Sequence, residues 1–296
     1  MPGPSMRGLS MRGLSMQGDR VLIGALGACA LLSGGVLVLI LGFLLLETGP
    51  LLASGHVAGA LFGAEWHPAD HTFGLRAMIA GSLAVSGLAL SWAAPAGVVV
   101  AVWGRLYAPA VLGRLYRGVI DILAGIPSVV YGFWGLLAIV PAINRVRPPG
   151  TSLLAGGFVL GLMILPLCAL STDAGLARVP QSYLRAAAAL GLSRFGTLTR
   201  ILLPQAWPAI VAGCVLQLGR ALGETMAVVM VCGNVVEVPD SLFAPVRTLT
   251  ANIALEIAYA SGWHQRALFM SGLVLLMVTM VLFGLTQGLR KRPHED

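Results

Sequence analysis

Six long apolar runs, separated by polar and basic stretches, dominate this sequence of 296 residues. A helix needs about 20 mainly apolar residues to cross a hydrocarbon layer roughly 30 Å thick, and every run is long enough to do so. The predicted spans are residues 21–46, 76–104, 122–143, 152–171, 207–236 and 267–289. The pattern predicts an all-α integral membrane protein in which residues 21–290 form one six-helix domain and residues 291–296 a short tail.

A different pattern occupies the N-terminal segment, residues 1–20. A pentapeptide, Ser-Met-Arg-Gly-Leu, begins at Ser5 and again at Ser10, and a partial copy begins at Ser15. The segment is polar and rich in glycine, a composition that does not support a packed core. We predict a disordered tail without a function of its own.

Charge is scarce and unevenly distributed. Charged residues make up 10% of the chain and hydrophobic residues 57%, whereas a soluble domain carries about 25% charged residues. If the N-terminus is cytoplasmic, the inner segments hold thirteen of the nineteen basic residues and the outer segments five. This bias predicts that both termini are cytoplasmic, because basic loops remain on the inner side. The net charge of +7 then needs no nucleic-acid partner.

Nucleotide binding through a phosphate-cradling loop is excluded by the lysine content. The chain has a single lysine, Lys291, and it is followed by Arg292 rather than by serine or threonine. The G-x-x-x-x-G-K-[ST] motif therefore cannot be formed. If the protein works with ATP, another chain must bind the nucleotide.

Metal ligation is not predicted either. The four cysteines lie inside apolar runs, without disulfide-framework or zinc spacing, and are expected to be small core residues: Cys29, Cys168, Cys214 and Cys232. Four potential ligands do share one loop, namely Glu65, His67, Asp70 and His71. Pro68 and the lack of helical periodicity favour a solvated loop over a metal site.

The loop after the fourth apolar run, residues 173–204, carries a pattern of its own. Pro180 and the alanine-rich stretch after it predict a short helix that begins near Ser182. Gly191 breaks that helix, and a second helical stretch runs to Pro204. We call these two short helices and their connection, residues 182–204, the hook.

The hook resembles the loop shared by permease subunits of bacterial ABC importers. That pattern is Glu-Ala-Ala, three residues, Gly, nine residues, Ile, any residue, Leu-Pro. The matching positions are Ala186, Ala187, Gly191, Ile201, Leu203 and Pro204, whereas Arg185 replaces the glutamate. The resemblance implies that the hook docks on an ATPase subunit, and the change at Arg185 affects one contact of that docking.

Three polar residues recur inside the fifth apolar run. Gln217, Arg220 and Glu224 are spaced i, i+3 and i+7, which predicts one polar helix face. A charge in the bilayer centre costs about 2.5–3.5 kcal/mol on insertion scales, so a buried Arg220–Glu224 pair favours a functional role over a structural salt bridge. The arginine fork suits an oxyanion, and a competing carboxylate would keep binding transient. We predict that these three residues line a substrate pathway.

Further motifs narrow the resemblance. The stretch from Gly219 to Ala227 is similar to the signature of phosphate-importer permeases of the PstC type. The segment from Gly125 to Gly132 and the late loop, at 241–256 and 260–262, also resemble that family. The sister permeases of the PstA type have Gly-Glu-Thr followed by Ala-Pro. In this chain Gly-Glu-Thr is followed by Met226 and Ala227, so the PstC type is favoured.

This resemblance implies a fold, a function and partners. The fold would be that of a type I ABC importer permease, and the function phosphate import across the bacterial cytoplasmic membrane. The expected partners are a homologous second permease, two ATPase subunits that bind ATP and magnesium, an extracytoplasmic phosphate-binding protein, and phosphate. The chain itself would hold no cofactor and catalyse no reaction.

Several alternatives remain open. The chain could be the PstA-type sister, or a permease for another oxyanion, because an arginine fork binds sulfate and arsenate as well. A secondary transporter would need inverted repeats and acidic residues for ion coupling, and neither is evident beyond Glu224. A membrane enzyme would need a catalytic cluster at one depth, but His264 is predicted to stand alone near the interface.

Overall fold

The computed structural model describes residues 11–53 and 57–290, so the predicted tail at 291–296 and the first half of the N-terminal repeat lie outside the described residues. Its helices and strands are α1 Met11–Ala53, α2 Val57–Phe62, β1 Trp66–His67, β2 Thr72–Phe73, α3 Arg76–Leu106, α4 Ala110–Gly125, α5 Ser128–Trp134, α6 Val140–Asn144, α7 Leu153–Ala177, α8 Gln181–Ala189, α9 Arg194–Thr197, α10 Leu203–Leu222, α11 Met226–Val231, α12 Leu249–Glu256 and α13 Gly262–Arg290. Strands β1 and β2 form a small antiparallel hairpin. The prediction of an all-α membrane class is confirmed.

Five helical stretches are long and apolar enough to cross a membrane. They are Val21–Ala53, Arg76–Leu106, Leu153–Ala177, Arg194–Leu222 and Gly262–Gly284, and a bent pair, Val111–Gly125 with Ser128–Asn144, makes six if it counts as one span. The chain divides after Pro50 into two compact units. The first consists of α1, whose helix already begins at Met11. Residues 11–20, for which we predicted a disordered tail, form the first part of α1 in the structure, where the hydrogen-bonding pattern of the long apolar helix extends into them.

The predicted third span, residues 122–143, is not a continuous helix. Helices α4 and α5 meet at an angle of 91°, and Ile126 is extended, with φ −67° and ψ 129°. Pro127 causes the break because proline lacks an N–H and disfavours helical geometry in the residue before it. The Tyr131 hydroxyl donates to the Leu123 carbonyl oxygen across the bend at 2.9 Å, which links the two helices.

The predicted fifth span, residues 207–236, also differs from the structure. The helical stretch begins earlier, at Arg194, and passes through a π-helical turn at Leu198–Leu202 into α10. It ends at Leu222, and Gly223 caps it before α11 starts at Met226. The apolar run thus holds two helices, because Gly223 lacks a Cβ and has a low helix propensity.

Helix α7 forms the centre of the second unit and packs along α3. Small residues permit the close approach: a Cβ added at Gly161 would lie 2.2 Å from Cε2 of Trp92. In membrane proteins, packing of this kind supplies much of the helix association, because lipid offers no hydrophobic driving force between helices. The core around these two helices includes Val85, Ala89, Val159, Leu160 and Ile164.

The N-terminal end of α7 is closed by the segment that follows α11. Leu153 N–H donates to the Ala244 carbonyl oxygen at 2.9 Å, and Leu154 N–H donates to the Leu242 carbonyl oxygen at 2.8 Å. Ser152 adds a side-chain cap on the Ala155 N–H at 3.2 Å. These bonds satisfy amides that a helix start leaves without intrahelical partners, so the segment at 232–248 has a defined course next to α11.

Candidate functional site

A break between α10 and α11 brings charge into the fifth apolar run. Arg220 lies in the last turn of α10, and Gly223 closes that turn with its N–H 3.1 Å from the Gly219 carbonyl oxygen. Glu224 and Thr225 follow in non-helical conformation before α11 begins. We call residues 220–225 the charged break. The glycines on both sides of Arg220 let a helix end here within an apolar sequence.

Glu224 is bonded through both its side chain and its backbone. Its Oε1 accepts from the Ala227 N–H at 3.2 Å, so the carboxylate caps the start of α11, where the helix dipole favours negative charge. Its carbonyl oxygen accepts from the Thr250 hydroxyl at 2.7 Å. The side chain of this residue is half-buried, and its position depends on α11 and α12 together.

The predicted buried pair of Arg220 and Glu224 is wrong. Arg220 is exposed on the surface of the single chain, and the ion pairs found among residues 11–53 and 57–290 do not join it to Glu224. The i, i+4 geometry assumed for the pair is absent because α10 ends two residues before Glu224. Arg220 therefore presents its guanidinium outward, and the carboxylate is engaged by a helix start.

Gln217 does lie on an interior face, as the spacing predicts. It is 5% exposed, and its Oε1 has no hydrogen-bond partner within the described part of the chain. A buried polar atom without a partner costs about 1–3 kcal/mol. Because Gln217 and Arg220 are three residues apart on α10, they are neighbours on the helix surface. The two side chains offer an acceptor and a cationic donor in one region.

The hook has the two-helix form predicted from the sequence. Helix α8 starts at Gln181, one residue before the predicted position, and Gly191 makes the turn with φ +69°. Ser193 Oγ then accepts from the Gly196 N–H at 3.1 Å and caps the second helix. The second stretch does not stop at Pro204 but continues into α10, because proline is tolerated in the first turn of a helix.

The hook also presents the residues that the resemblance singled out. Arg185, Ala186, Gly191 and Pro204 are exposed, Ile201 and Leu203 are half-buried, and Ala187 is buried. Beneath them an apolar cluster joins the hook to the ends of α7 and α10, with Leu176, Val179, Leu198 and Leu202 at its centre. The hook is thus a formed surface on a fixed base.

A second polar cluster, which sequence reasoning missed, surrounds Glu256 at the end of α12. Glu256 Oε1 lies 2.6 Å from an Arg247 guanidinium nitrogen, and Oε2 accepts from the Trp66 indole N–H at 2.9 Å. His264 Nε2 lies 2.8 Å from the same Oε2. His264 is therefore not alone, contrary to prediction. Since Trp66 and Glu256 are 190 residues apart, no local pattern could have joined them.

Arg247 is held by further contacts within this Glu256 cluster. Its Nε donates to the Asn234 carbonyl oxygen at 2.9 Å, and a terminal nitrogen donates to Asn252 Oδ1 at 3.1 Å. Only 9% of the Glu256 side chain and 18% of the Arg247 side chain are exposed. The cluster ties the β1–β2 hairpin, the segment at 232–248, α12 and the start of α13 together.

These features define a class of protein: a multi-pass helical membrane subunit with a charged break at one end of α10 and an exposed hook at the other end. The chain belongs to the family of binding-protein-dependent transport system inner membrane components, whose sequence profile matches residues 93–293. It is thus a component of a transport system. The charged break and the hook both lie within the matched residues.

Named relatives agree with this family. A Bacillus subtilis protein named probable ABC transporter permease protein YqgH is 39% identical over 235 residues, covering 77% of this chain and 76% of the relative. A Pasteurella multocida protein named phosphate transport system permease protein PstC is 34% identical, covering 77% and 78%. A Methanocaldococcus jannaschii protein named probable phosphate transport system permease protein PstC is 32% identical, covering 87% and 89%.

Solved structures share the fold at lower sequence identity. A structure of the MetNI methionine ABC transporter matches with a TM-score of 0.54 and 19% identity, covering 71% of this chain and 90% of the matched one. A bacterial ABC transporter involved in the import of alginate matches with a TM-score of 0.56 and 15% identity, covering 93% and 99%. The fold is therefore that of an ABC importer permease.

Proposed function

We propose that this chain is the channel-forming permease subunit of an ATP-driven importer of inorganic phosphate in the bacterial cytoplasmic membrane. Relatives named as phosphate permeases at 32–34% identity support the substrate. The observation that carries the proposal is the charged break: Arg220 is exposed inside an apolar run and has no ion-pair partner among residues 11–53 and 57–290. Three residues before it, the buried Gln217 Oε1 has no hydrogen-bond partner in the same part of the chain. Both termini would lie in the cytoplasm.

The chemistry of the break suits hydrogen phosphate. The guanidinium fork of Arg220 donates two parallel hydrogen bonds to an oxyanion. Hydrogen phosphate also carries a hydroxyl group that sulfate lacks, and this hydroxyl must donate to an acceptor. Gln217 Oε1 and the Glu224 carboxylate, three residues before and four residues after Arg220, are the acceptors that we propose for it. Arg220 would attract the anion, and the acceptors would favour hydrogen phosphate, which has a hydroxyl to donate, over sulfate, which has none.

Release requires that this binding stay weak. The Glu224 carboxylate opposes a fully formed anion site because it repels the substrate, although it is engaged on the Ala227 N–H rather than on Arg220. Movement of α11 would change the distance between the carboxylate and Arg220. In this proposal the charged break passes phosphate on during a conformational change and does not store it.

The partners follow from the surfaces of the chain. The exposed hook would dock on one of two ATPase subunits, which bind ATP and magnesium, and movement of the hook would be transmitted to α10 because the two are continuous. A homologous second permease would cover the exposed side of Arg220 and complete the pathway. An extracytoplasmic binding protein would deliver phosphate. This chain would hold no cofactor and hydrolyse nothing itself.

The test is phosphate uptake into vesicles that contain the complete reconstituted complex. Uptake should require ATP inside and the loaded binding protein outside, and Arg220→Gln should reduce it to the level of vesicles without ATP while the complex still assembles. Arg220→Lys keeps the charge and removes the fork, so it should retain a small part of the activity. Arg105→Gln removes an arginine whose partner is Asp173 at 3.0 Å, and it serves as the control for loss of one arginine.

Three outcomes would overturn the proposal or a part of it. Normal uptake by Arg220→Gln would remove the charged break from the pathway. Transport of sulfate in preference to phosphate by the unmodified complex would refute the substrate assignment, and uptake by this chain without the ATPase would indicate a secondary transporter.

A further inference from the structure

A side chain of helix α12 is hydrogen-bonded to the charged break. Thr250, in the first turn of α12, donates its hydroxyl to the Glu224 carbonyl oxygen at 2.7 Å, across 26 residues of sequence. Thr250 is 7% exposed, so water has little access to this bond. The contact joins α12 directly to the charged break, in addition to the connection through the segment at 232–248.

The Thr250 hydroxyl has a defined direction because its neighbours form a chain of hydrogen bonds. The Ala251 N–H donates to Thr248 Oγ1 at 3.2 Å, and Thr248 Oγ1 lies 3.0 Å from Thr250 Oγ1. Since Thr250 donates its one proton to Glu224, it must accept the proton of Thr248. Every donor in the chain therefore has an acceptor, and the last acceptor is the Glu224 backbone.

The start of α12 is itself anchored on α3. The Leu249 N–H donates to Ser82 Oγ at 2.9 Å, and Ser82 is buried. At its other end α12 is held by the Glu256 cluster. Thr250 therefore extends from a helix that is fixed at both ends. The break that it contacts lies between two helices, where the Glu224 N–H donates to the Ala221 carbonyl oxygen at 3.2 Å.

We propose that Thr250 is a positioning residue for transport: it holds the Glu224 backbone so that the Glu224 carboxylate caps α11 and stays at a set distance from Arg220. This inference rests on the proposed pathway through the charged break. Without the Thr250 bond, the Glu224 carbonyl oxygen would lose a buried partner and the break would gain freedom. The Ala227 amide would then lose the carboxylate that it donates to.

The first test compares two variants of Thr250 in the reconstituted complex. Thr250→Val keeps the shape of the side chain and removes the hydroxyl. It should lower the maximal uptake rate about tenfold, because the buried hydrogen bond that holds the Glu224 backbone is lost. The concentration of loaded binding protein giving half-maximal uptake should not change, because Thr250 is 7% exposed and its substitution leaves the outer surface of the chain unaltered. Thr250→Ser restores the hydroxyl and should return the rate to within about twofold.

The matched control is Thr172→Val. Thr172 is 1% exposed and donates to the Cys168 carbonyl oxygen at 2.8 Å within its own helix, α7. This variant makes the same chemical change in a core position away from the break, and it should leave uptake near the unmodified rate. Normal uptake by Thr250→Val, or failure of Thr250→Ser to restore it, would overturn the inference.

A second measurement does not depend on the substrate. Amide hydrogen exchange in the assembled complex should be faster for Ala227 in Thr250→Val than in the unmodified chain, because that amide donates to Glu224 Oε1. Thr250→Ser should restore protection, and unchanged exchange in Thr250→Val would overturn the inference. If the unmodified complex does not import phosphate, the proposed function fails, while this measurement still decides whether Thr250 positions Glu224.

Discussion

Replacing Glu256 by glutamine tests whether the Glu256 cluster stabilises the fold. Glutamine keeps the shape but removes the charge, so Arg247 loses its carboxylate at 2.6 Å, and only one oxygen remains for the Trp66 N–H and His264. Breaking a buried ion pair from one side costs about 3–5 kcal/mol. Arg247 keeps its bonds to Asn234 and Asn252, so we expect the lower part of that range, about 3 kcal/mol.

Thermal unfolding with a thiol-reactive fluorophore measures this effect in the purified complex. Cys168 and Cys232 are buried and become reactive on unfolding, whereas the exposed Cys29 contributes to the baseline. A loss of about 3 kcal/mol corresponds to a Tm lowered by roughly 6–12 °C for a chain of this size. Glu237→Gln, at an exposed position of the segment at 232–248, should leave Tm unchanged. A Tm for Glu256→Gln within 1 °C of the unmodified complex would refute the reasoning.

Three further predictions concern the turn of the hook, the bend between α4 and α5, and the packing of α7 on α3. Gly191→Val should lose co-purification with the ATPase, because φ +69° is strained for a branched side chain although the surrounding space is open; Gly191→Asn should bind better than valine, and equal binding by both would contradict the conformational explanation. Tyr131→Phe should lower the unfolding free energy by about 0.5–1.5 kcal/mol through loss of the bond to Leu123, which Tm reports. Gly161→Ala should lower the Tm of the complex, because the added methyl group would meet the Trp92 ring between α7 and α3. Replacing Trp92 by leucine in the same chain should recover part of the lost Tm; no recovery would mean that the Trp92 contact is not the cause of the destabilisation.

Patterns among neighbouring residues in the sequence were sufficient to predict the class of fold and the two-helix form of the hook. Apolar runs of membrane length identify spanning helices because lipid cannot satisfy free backbone groups. The two helices of the hook follow from Pro180, the alanine run and Gly191, and their form depends on backbone preferences of neighbouring residues. The burial of Gln217 follows from its place on the interior face of α10.

The two corrections inside the spans have a common cause. An apolar run records the environment of a segment but not the path of its backbone, so the bend at Pro127 and the break at Gly223 are not visible in hydropathy. Both residues are frequent in membrane helices, where neighbouring groups can replace lost hydrogen bonds. The replacements here are the Tyr131 hydroxyl and the Thr250 hydroxyl, and only packing places them at the breaks.

Sequence alone therefore determined that this chain crosses a membrane several times, carries a hook of two short helices and brings Arg220 into an apolar run. The tertiary structure decided what surrounds those charges. It separated Glu224 from Arg220 by ending α10, placed Thr250 on the break from 26 residues away, and joined Glu256 to Trp66 across 190 residues. The physical reason is that hydropathy and backbone propensity act along neighbouring residues, whereas a buried hydrogen bond depends on which distant elements the fold brings together.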